Sequence, residues 1–211
     1  MRRIFFATLF ALLLTVQNFC VAAPATIDNA IFNGDENLKY PIVRTGNASV
    51  DTKINSVIDK IMNNFVMDVR TDRRERGIDV HIMNTSYAVM CNDAGNSDIL
   101  SILLTDYRYS RNGPAHPLTT THTLNFKLST GELLDANCLA QKVSLADISR
   151  KLEVYNSANA GTPWKLSDDA LPLKKLPEGF YFDEKLHLHV LFQRGEIAHF
   201  GRGVLDFDMD E

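Results

Sequence analysis

The sequence carries none of the short motifs that mark the commonest enzymes and metal proteins. A G-x-S-x-G turn, an H-E-x-x-H pair, a glycine-rich phosphate loop and an EF-hand loop are all missing. No nucleophile, zinc, nucleotide or calcium site is therefore predicted. Basic residues are also the minority, with 22 Lys and Arg against 26 Asp and Glu. This balance argues against a nucleic-acid partner, because phosphate binding needs a basic footprint. We predict a non-enzymatic protein with no cofactor, no metal and no catalytic residue.

Long apolar runs are absent beyond the N-terminus. A basic start precedes a nearly unbroken apolar stretch over residues 4–16, and cleavage after Ala22 or Ala25 fits small-residue rules. Residues 1–25 are thus predicted to be a signal peptide, which implies a secreted or periplasmic protein. No second run of about 18 apolar residues follows, so no membrane span is predicted in the mature chain. Removing the two leader arginines changes the net charge from −4 to −4 − 2 = −6.

Cysteine is scarce, with three in the chain. Cys20 lies in the leader, which leaves Cys91 and Cys138. Export permits a disulfide between these two, and the bridge would close a loop of roughly 47 residues. The alternative is a pair of separate buried thiols that pack as small apolar side chains. The sequence leaves both alternatives open.

An amphipathic helix is the clearest element of the first half. Over residues 49–70, apolar side chains recur every three or four positions, and the other face carries lysine, serine and asparagine. Ser49 is the predicted cap of the first turn. The charged run that follows, TDRRER over residues 71–76, is more typical of a solvated helix end or loop than of an anion site.

Extended segments follow this helix. In residues 78–90, apolar and polar side chains alternate, with a bulge or bend predicted at 84–86. Residues 98–110 begin apolar on both faces, which is typical of a central strand. Residues 120–128 alternate again after a Pro-braced connection at residues 112–117.

The end of the chain contains a second helix and more strands. A capping box begins a predicted helix over residues 144–155. In residues 186–192 and 205–209, apolar and polar side chains alternate, which predicts two strands. The whole pattern predicts an α+β fold with two interlocked sub-domains. In the first, residues 26–112, an antiparallel sheet is packed by the long helix. In the second, residues 113–211, a smaller sheet carries a helix.

Histidines supply the candidate chemistry. His116 sits in the rigid connection, and His122 points toward the core face of its strand. Either could serve a small cell-wall hydrolase as a general base, although a partner within hydrogen-bond distance is required. His187 and His189 have the two-residue spacing that metal sites use, but the sequence offers no third ligand, and two polar residues on a half-exposed strand is the preferred interpretation.

Two segments resemble a known family. One is Arg111-Asn112-Gly113-Pro114-Ala115-His116-Pro117 with the following LNFKLSTGE at residues 124–132, and the other is FYFDEKLHLHVLFQRGEIAHFGRG at residues 180–203. Together they resemble the extracytoplasmic module of RsiV-type anti-sigma factors, which also precedes the catalytic domain of some peptidoglycan deacetylases. The family usually has Gly-Gly-Ala-His, and Pro114 here replaces the second glycine.

The resemblance implies a two-part α+β module, and in RsiV that module binds lysozyme. The chain carries a leader where RsiV has a cytoplasmic segment and anchor, and it carries no deacetylase domain, so neither signalling nor deacetylation is carried over. We expect an exported binding module for a lysozyme-like protein or a cell-envelope component such as a peptidoglycan fragment. A structural subunit of an envelope complex is the other alternative. The predicted binding residues are Tyr109, Arg111, Asn112 and His116.

Overall fold

The computed structural model describes residues 23–211, so the predicted leader lies almost wholly outside the described residues. In chain order the elements are β1 (Thr26–Ile31), β2 (Lys39–Arg44), α1 (Ala48–Glu75), β3 (Val80–Asp93), β4 (Ile99–Ser110), β5 (Leu118–Lys127), α2 (Ala136–Ala140), α3 (Leu145–Ala158), β6 (Gly179–Phe182), β7 (Leu188–Phe192) and β8 (Leu205–Asp208). Within residues 23–211, no helix combines the length and apolar character needed to cross a bilayer.

Helix α1 begins one residue before the predicted start. The side chain of Asn47 accepts hydrogen bonds from the backbone N–H groups of Ser49 and Val50, so Asn47 is the cap and the prediction of Ser49 is wrong. Asp51 lies in the first turn, where a negative charge is favourable. The apolar stripe is buried as expected, and its members are Val50, Ile54, Ile58, Met62, Phe65 and Val69.

The C-terminal end of α1 includes most of the charged run. Asp72 is 3% exposed. Its carboxylate is 3.0 Å from Arg76 and 3.5 Å from Arg108 of β4. Arg73 donates to the carbonyl of Val80 over 2.7 Å. Because the buried carboxylate is paired on two sides, the run ties the helix end to the sheet, and only part of it is solvated.

The first sheet has the strand order β3-β4-β5, antiparallel throughout. Helix α1 covers one of its faces, where Leu100, Ile102 and Leu104 of β4 meet Leu124 and Phe126 of β5 in the first core. The β1-β2 hairpin lies against the outer edge of β3, where Leu38 forms a bridge with Thr85. The register irregularities of β3 lie between Val80 and Ile82 and between Val89 and Cys91. The bulge or bend predicted at 84–86 is therefore wrong.

The second sheet has the order β6-β7-β8, also antiparallel. Its inner side packs with α3 residues Ile148 and Leu152 and with Leu139 of α2 in a second core. Cys91 of β3 belongs to this second core, so the two halves share side chains. The predicted fold class is confirmed: an α+β chain with a long helix on a three-stranded antiparallel sheet and a smaller sheet with a helix.

The two sheets are joined by buried polar side chains. The hydroxyl of Ser101 donates to Asn125 over 2.7 Å and accepts from the N–H of Phe182 over 3.1 Å. The amide of Asn125 donates to the carbonyl of Phe180 over 2.7 Å. Thr123 accepts from the N–H of Phe180 at 3.3 Å. The edge of β6 is thus satisfied by side chains of the first sheet. The predicted boundary at 112/113 falls between two paired strands, β4 and β5.

Candidate functional site

The predicted binding residues that make side-chain contacts make them with different parts of the chain. Asn112 accepts from the N–H of Asp79 over 2.6 Å and donates to the carbonyl of Gly77 over 2.9 Å. Its side chain is therefore used in pinning the turn before β3. Arg111 lies 3.2 Å from His81, and Tyr109 is half-buried in β4.

His116 contacts the loop between β7 and β8. Its ring stacks on Phe200, with centroids 5.1 Å apart and an interplanar angle of 27°. The guanidinium carbon of Arg194 lies 5.0 Å from the centre of the same Phe200 ring. The Pro-braced connection is therefore held against the loop between β7 and β8, and His116 has a structural role there.

A groove opens beside this contact, between helix α1, the α1-facing side of β4 and β5, and the β7–β8 loop. We call it the seam groove. Its volume is about 440 Å³ and its lining includes Asp68, Asp106, Arg108, His122, Arg194 and Phe200. An adjoining depression of about 510 Å³ shares Ile61, Thr120 and His122 with it. Sites at the junction of two sub-structures are common places for ligands.

His122 and Asp106 form the most defined pair in the seam groove. The Nε2 atom of His122 lies 2.8 Å from Oδ2 of Asp106, and the side chains are 30% and 15% exposed. The strand register places Asp106 opposite Thr120, so His122 is its diagonal neighbour on the same face. A carboxylate that orients an imidazole is half of a catalytic arrangement. Within residues 23–211, no hydroxyl or thiol is hydrogen-bonded to this ring.

Arg194 brings an unused donor to the groove. Its Nε atom is buried and has no hydrogen-bond partner in the part of the chain that the structure describes. Buried donors are nearly always paired in folded proteins. The seam groove therefore combines the carboxylates of Asp68 and Asp106 with the side chain of Arg194, and this lining suits a polar ligand.

Gln193 closes the edge of β5 next to the groove. Its amide accepts from the N–H of Thr121 over 3.0 Å and donates to the carbonyl of Thr121 over 2.7 Å. The side chain thus imitates the peptide group of a neighbouring strand. At this position an added strand from a partner is blocked, and such protection is common at sheet edges.

His187, just before β7, and His189 within β7 pair with aspartates of strand β8. His187 lies 3.1 Å from Asp208, and His189 lies 3.0 Å from Asp206. Partial burial of Asp208 acts to raise its pKa, but hydrogen bonds from the Asp210 N–H and His187 outweigh it and hold that pKa below its usual value. Burial, followed by the hydrogen bond to Asp206, raises the pKa of Tyr181. Among residues 23–211, no three His, Cys, Asp or Glu side chains converge to hold a metal.

The two cysteines are not bonded to each other. Cys91 is buried in the second core and Cys138 is half-buried on α2. Burial raises the pKa of the Cys91 thiol, which disfavours the reactive thiolate. Of the two alternatives left open by the sequence, the structure has separate thiols.

Sequence reasoning missed Asp106, Arg194 and Gln193 as parts of the site. These residues contact partners on other elements, so their roles cannot be recognised from neighbours in the sequence. Arg194 and His116, for example, contact the same Phe200 ring although they are far apart in the chain. One signal was available, because Ile197 and Phe200 are apolar residues in the mostly polar loop over residues 193–203.

Two crystal structures have a similar fold, and both are of DUF3298 family proteins, whose function is unknown. The one from Bacteroides fragilis has a TM-score of 0.50 and 14% identity, with 87% of each chain covered. The one from Pseudomonas aeruginosa has a TM-score of 0.55 and 9% identity, covering 90% of this chain and 92% of the other. At such identities the similarity shows the fold alone. No family model and no curated protein matches the sequence.

Proposed function

We propose that the protein is an exported, non-enzymatic binding module for a lysozyme-like protein, or another component of the cell envelope, and that the seam groove is part of a larger contact surface. The resemblance to RsiV-type modules supplies the ligand class. The observation that carries the proposal is the groove itself, which is lined by Asp68 and Asp106 together with Arg194. The charge of −6 expected after leader removal would steer a basic lysozyme toward the protein.

A charge reversal in the groove tests this proposal. Asp68 is exposed on α1 and lines the seam groove, so we expect Asp68→Lys to weaken lysozyme binding about tenfold or more, or about 1.4 kcal/mol. Glu153 is exposed on α3, and Glu153→Lys changes the net charge by the same amount. The control should therefore show the loss of long-range steering alone.

The measurement is retention of hen lysozyme and of purified peptidoglycan by the immobilised mature chain, followed by titration of whichever is retained. Equal weakening by Asp68→Lys and Glu153→Lys would mean that the groove is not the contact surface. Retention of neither ligand would remove the proposal.

The pair formed by His122 and Asp106 supports a second candidate function, that of a small hydrolase that acts on cell-wall material. The carboxylate would orient the imidazole as a general base for water. In that case the protein would release soluble fragments from peptidoglycan, and His122→Asn would abolish the release while leaving the fold intact. A release that survives His122→Asn would contradict this function.

Packing at the first described residues also predicts where the leader is cut. Ala25 is 6% exposed in the first core. Its N–H donates to Asn92 over 3.0 Å, and the Asn92 amide donates back to its carbonyl over 2.8 Å. Cleavage after Ala25 would remove these contacts, so we expect cleavage after Ala22. N-terminal sequencing of the exported protein should begin at Ala23, and a start at Thr26 would contradict the expectation.

A further inference from the structure

The first sheet has a second face that is half open. Toward β6 it is covered at Ser101 and Asn125, but the remainder bears the alternate side chains at positions 82–88 of β3 and 103–109 of β4, with Thr119 and Thr121 of β5. We call this the open face. The four β3 positions are exposed, and the others are half-buried except Thr121, which is 8% exposed.

The open face carries no charged residue, although 23% of the chain is charged. The strand register arranges its side chains in rows across the sheet. Ile82 is opposite Tyr109, Asn84 is opposite Tyr107, and Ser86 is opposite Thr105. Thr105 and Thr121 continue the last row, with their hydroxyl oxygens 3.2 Å apart. In the part of the chain that the structure describes, no charged side chain is hydrogen-bonded to these groups.

The area of the open face indicates whether its ligand is a protein or a smaller molecule. Six residue steps of about 3.4 Å and three strands about 4.8 Å apart give a platform of about 20 by 15 Å, or about 300 Å². A stable protein interface needs about 800 Å² on each partner. The open face is therefore too small for a stable dimer of this chain or for a typical protein partner on its own.

We propose that the open face binds a neutral glycan chain of a polysaccharide. Tyr107 and Tyr109 lie two residues apart on one strand and offer aromatic surface on which the C–H faces of sugar rings pack, with a hydroxyl at each ring's end. Ser86 and Thr105 each donate and accept hydrogen bonds, as sugar hydroxyls do, and Asn84 does both through its amide. The absence of charge matches a neutral ligand, because a charged one would bury its charge without a partner.

This inference does not depend on the seam groove, which lies on the α1 side of the same sheet and shares Thr119 of the edge strand β5 with the open face. The two sites also differ in their response to salt. Binding of a neutral glycan should be insensitive to ionic strength, whereas binding of a basic protein by an acidic one should weaken as salt rises.

The test is a titration of the ¹⁵N-labelled mature chain with chitohexaose, cellohexaose and maltohexaose, monitored by NMR. At least one hexasaccharide should shift the amide signals of residues 82–88, 103–109 and 119–121. Tyr107→Ala should weaken that binding roughly tenfold, as for an aromatic residue central to a contact. Ser86→Glu places a charge on the open face at an exposed position and should abolish binding. Ser56→Glu, at an exposed position of α1, should have no effect.

Three results would overturn the proposal: no binding of any of the three hexasaccharides, signal shifts confined to other residues, or unchanged affinity in Ser86→Glu. Lysozyme retention by Ser86→Glu separates the two proposals. If it is unchanged while the glycan affinity is lost, the two surfaces act independently. Loss of both would show that the open face is not a separate glycan site and would overturn the inference.

Discussion

Replacing Asn125 by alanine is expected to lower the free energy of unfolding by about 3 kcal/mol, because the side chain is the main polar link between the two sheets. Asn125 is 1% exposed. Its removal leaves the carbonyl of Phe180 and the hydroxyl of Ser101 without the partners they have at 2.7 Å. Each buried group left unsatisfied costs about 1–3 kcal/mol, and a cavity adds to the loss.

Urea denaturation of the mature chain measures this effect. Asn63→Ala is the matched control, because Asn63 is exposed on α1 and bonds only to a carbonyl of its own helix, that of Asp59. We expect the control to stay within about 0.5 kcal/mol of the wild type. A double-mutant cycle with Ser101→Ala should give a non-additive energy, since the two side chains share a hydrogen bond. A change below about 1 kcal/mol for Asn125→Ala would mean that water satisfies the exposed partners.

The second large effect is expected at Gly179, where β6 begins. A Cβ atom at this position would lie 2.5 Å from the carbonyl oxygen of Leu191, its partner in β7. The carbonyl oxygen belongs to the backbone, which cannot move aside as the end of a flexible side chain can. Gly179→Ala must therefore push the two strands apart. We expect a loss of about 3 kcal/mol, at the upper end of the range for overpacking. Gly179 thus marks a place where two backbones approach closely.

Gly95→Ala is the control for this substitution. The nearest atom to a Cβ at Gly95 is Oδ1 of Asp93 at 3.6 Å, an ordinary contact, and the residue does not have positive φ. The control should therefore leave the thermal midpoint within a few degrees of the wild type, as expected for a change of about 0.5 kcal/mol or less. Equal midpoints for Gly179→Ala and Gly95→Ala would show that the β6-β7 pair adjusts to the added methyl group.

The first effect lies at the junction of the two sheets, and the second lies in β6, the strand of the second sheet that forms this junction. The seam groove depends on the same junction. Gly179 and Gln193 border the adjoining depression, and Gln193 bonds to Thr121 of the first sheet. Loss of β6 packing should therefore disturb the groove before it unfolds the first core, which has α1 and its own sheet. The groove is thus a property of the assembled chain.

The local pattern of apolar and polar residues was sufficient to predict the main helices and strands. The apolar period of residues 49–70 predicted α1, because one helix face must be buried. The two-sided apolar character at the start of β4 predicted a central strand, and Ile102 and Leu104 are indeed fully buried. The error at the helix cap was local, since Asn47 lies two residues before Ser49, but a distant residue contributed at the other end of the helix. The helix extends to Glu75 since Arg108 of β4 helps to pair Asp72.

None of the four predicted binding residues, Tyr109, Arg111, Asn112 and His116, lines the seam groove. His116 lies beside the groove, yet its ring is stacked on Phe200, and Asn112 is used to pin a turn. His122 was recognised as a residue at the core margin, but its carboxylate partner could not be found. Asp106 is 16 residues away along the chain and becomes its neighbour only through the register of β4 and β5.

The sequence by itself determined the helices, the strands, the α+β class, the acidic balance and the predicted leader, because each is encoded in composition or in short-range period. Only the tertiary structure decided the pairing of β5 with β4, the separate cysteine thiols, the seam groove and the uncharged open face. The physical reason is that strand register and sheet docking bring together residues with no fixed spacing in the chain. The stretch from β4 through the Pro-braced connection to β5 therefore carries the groove on one face and the proposed glycan site on the other.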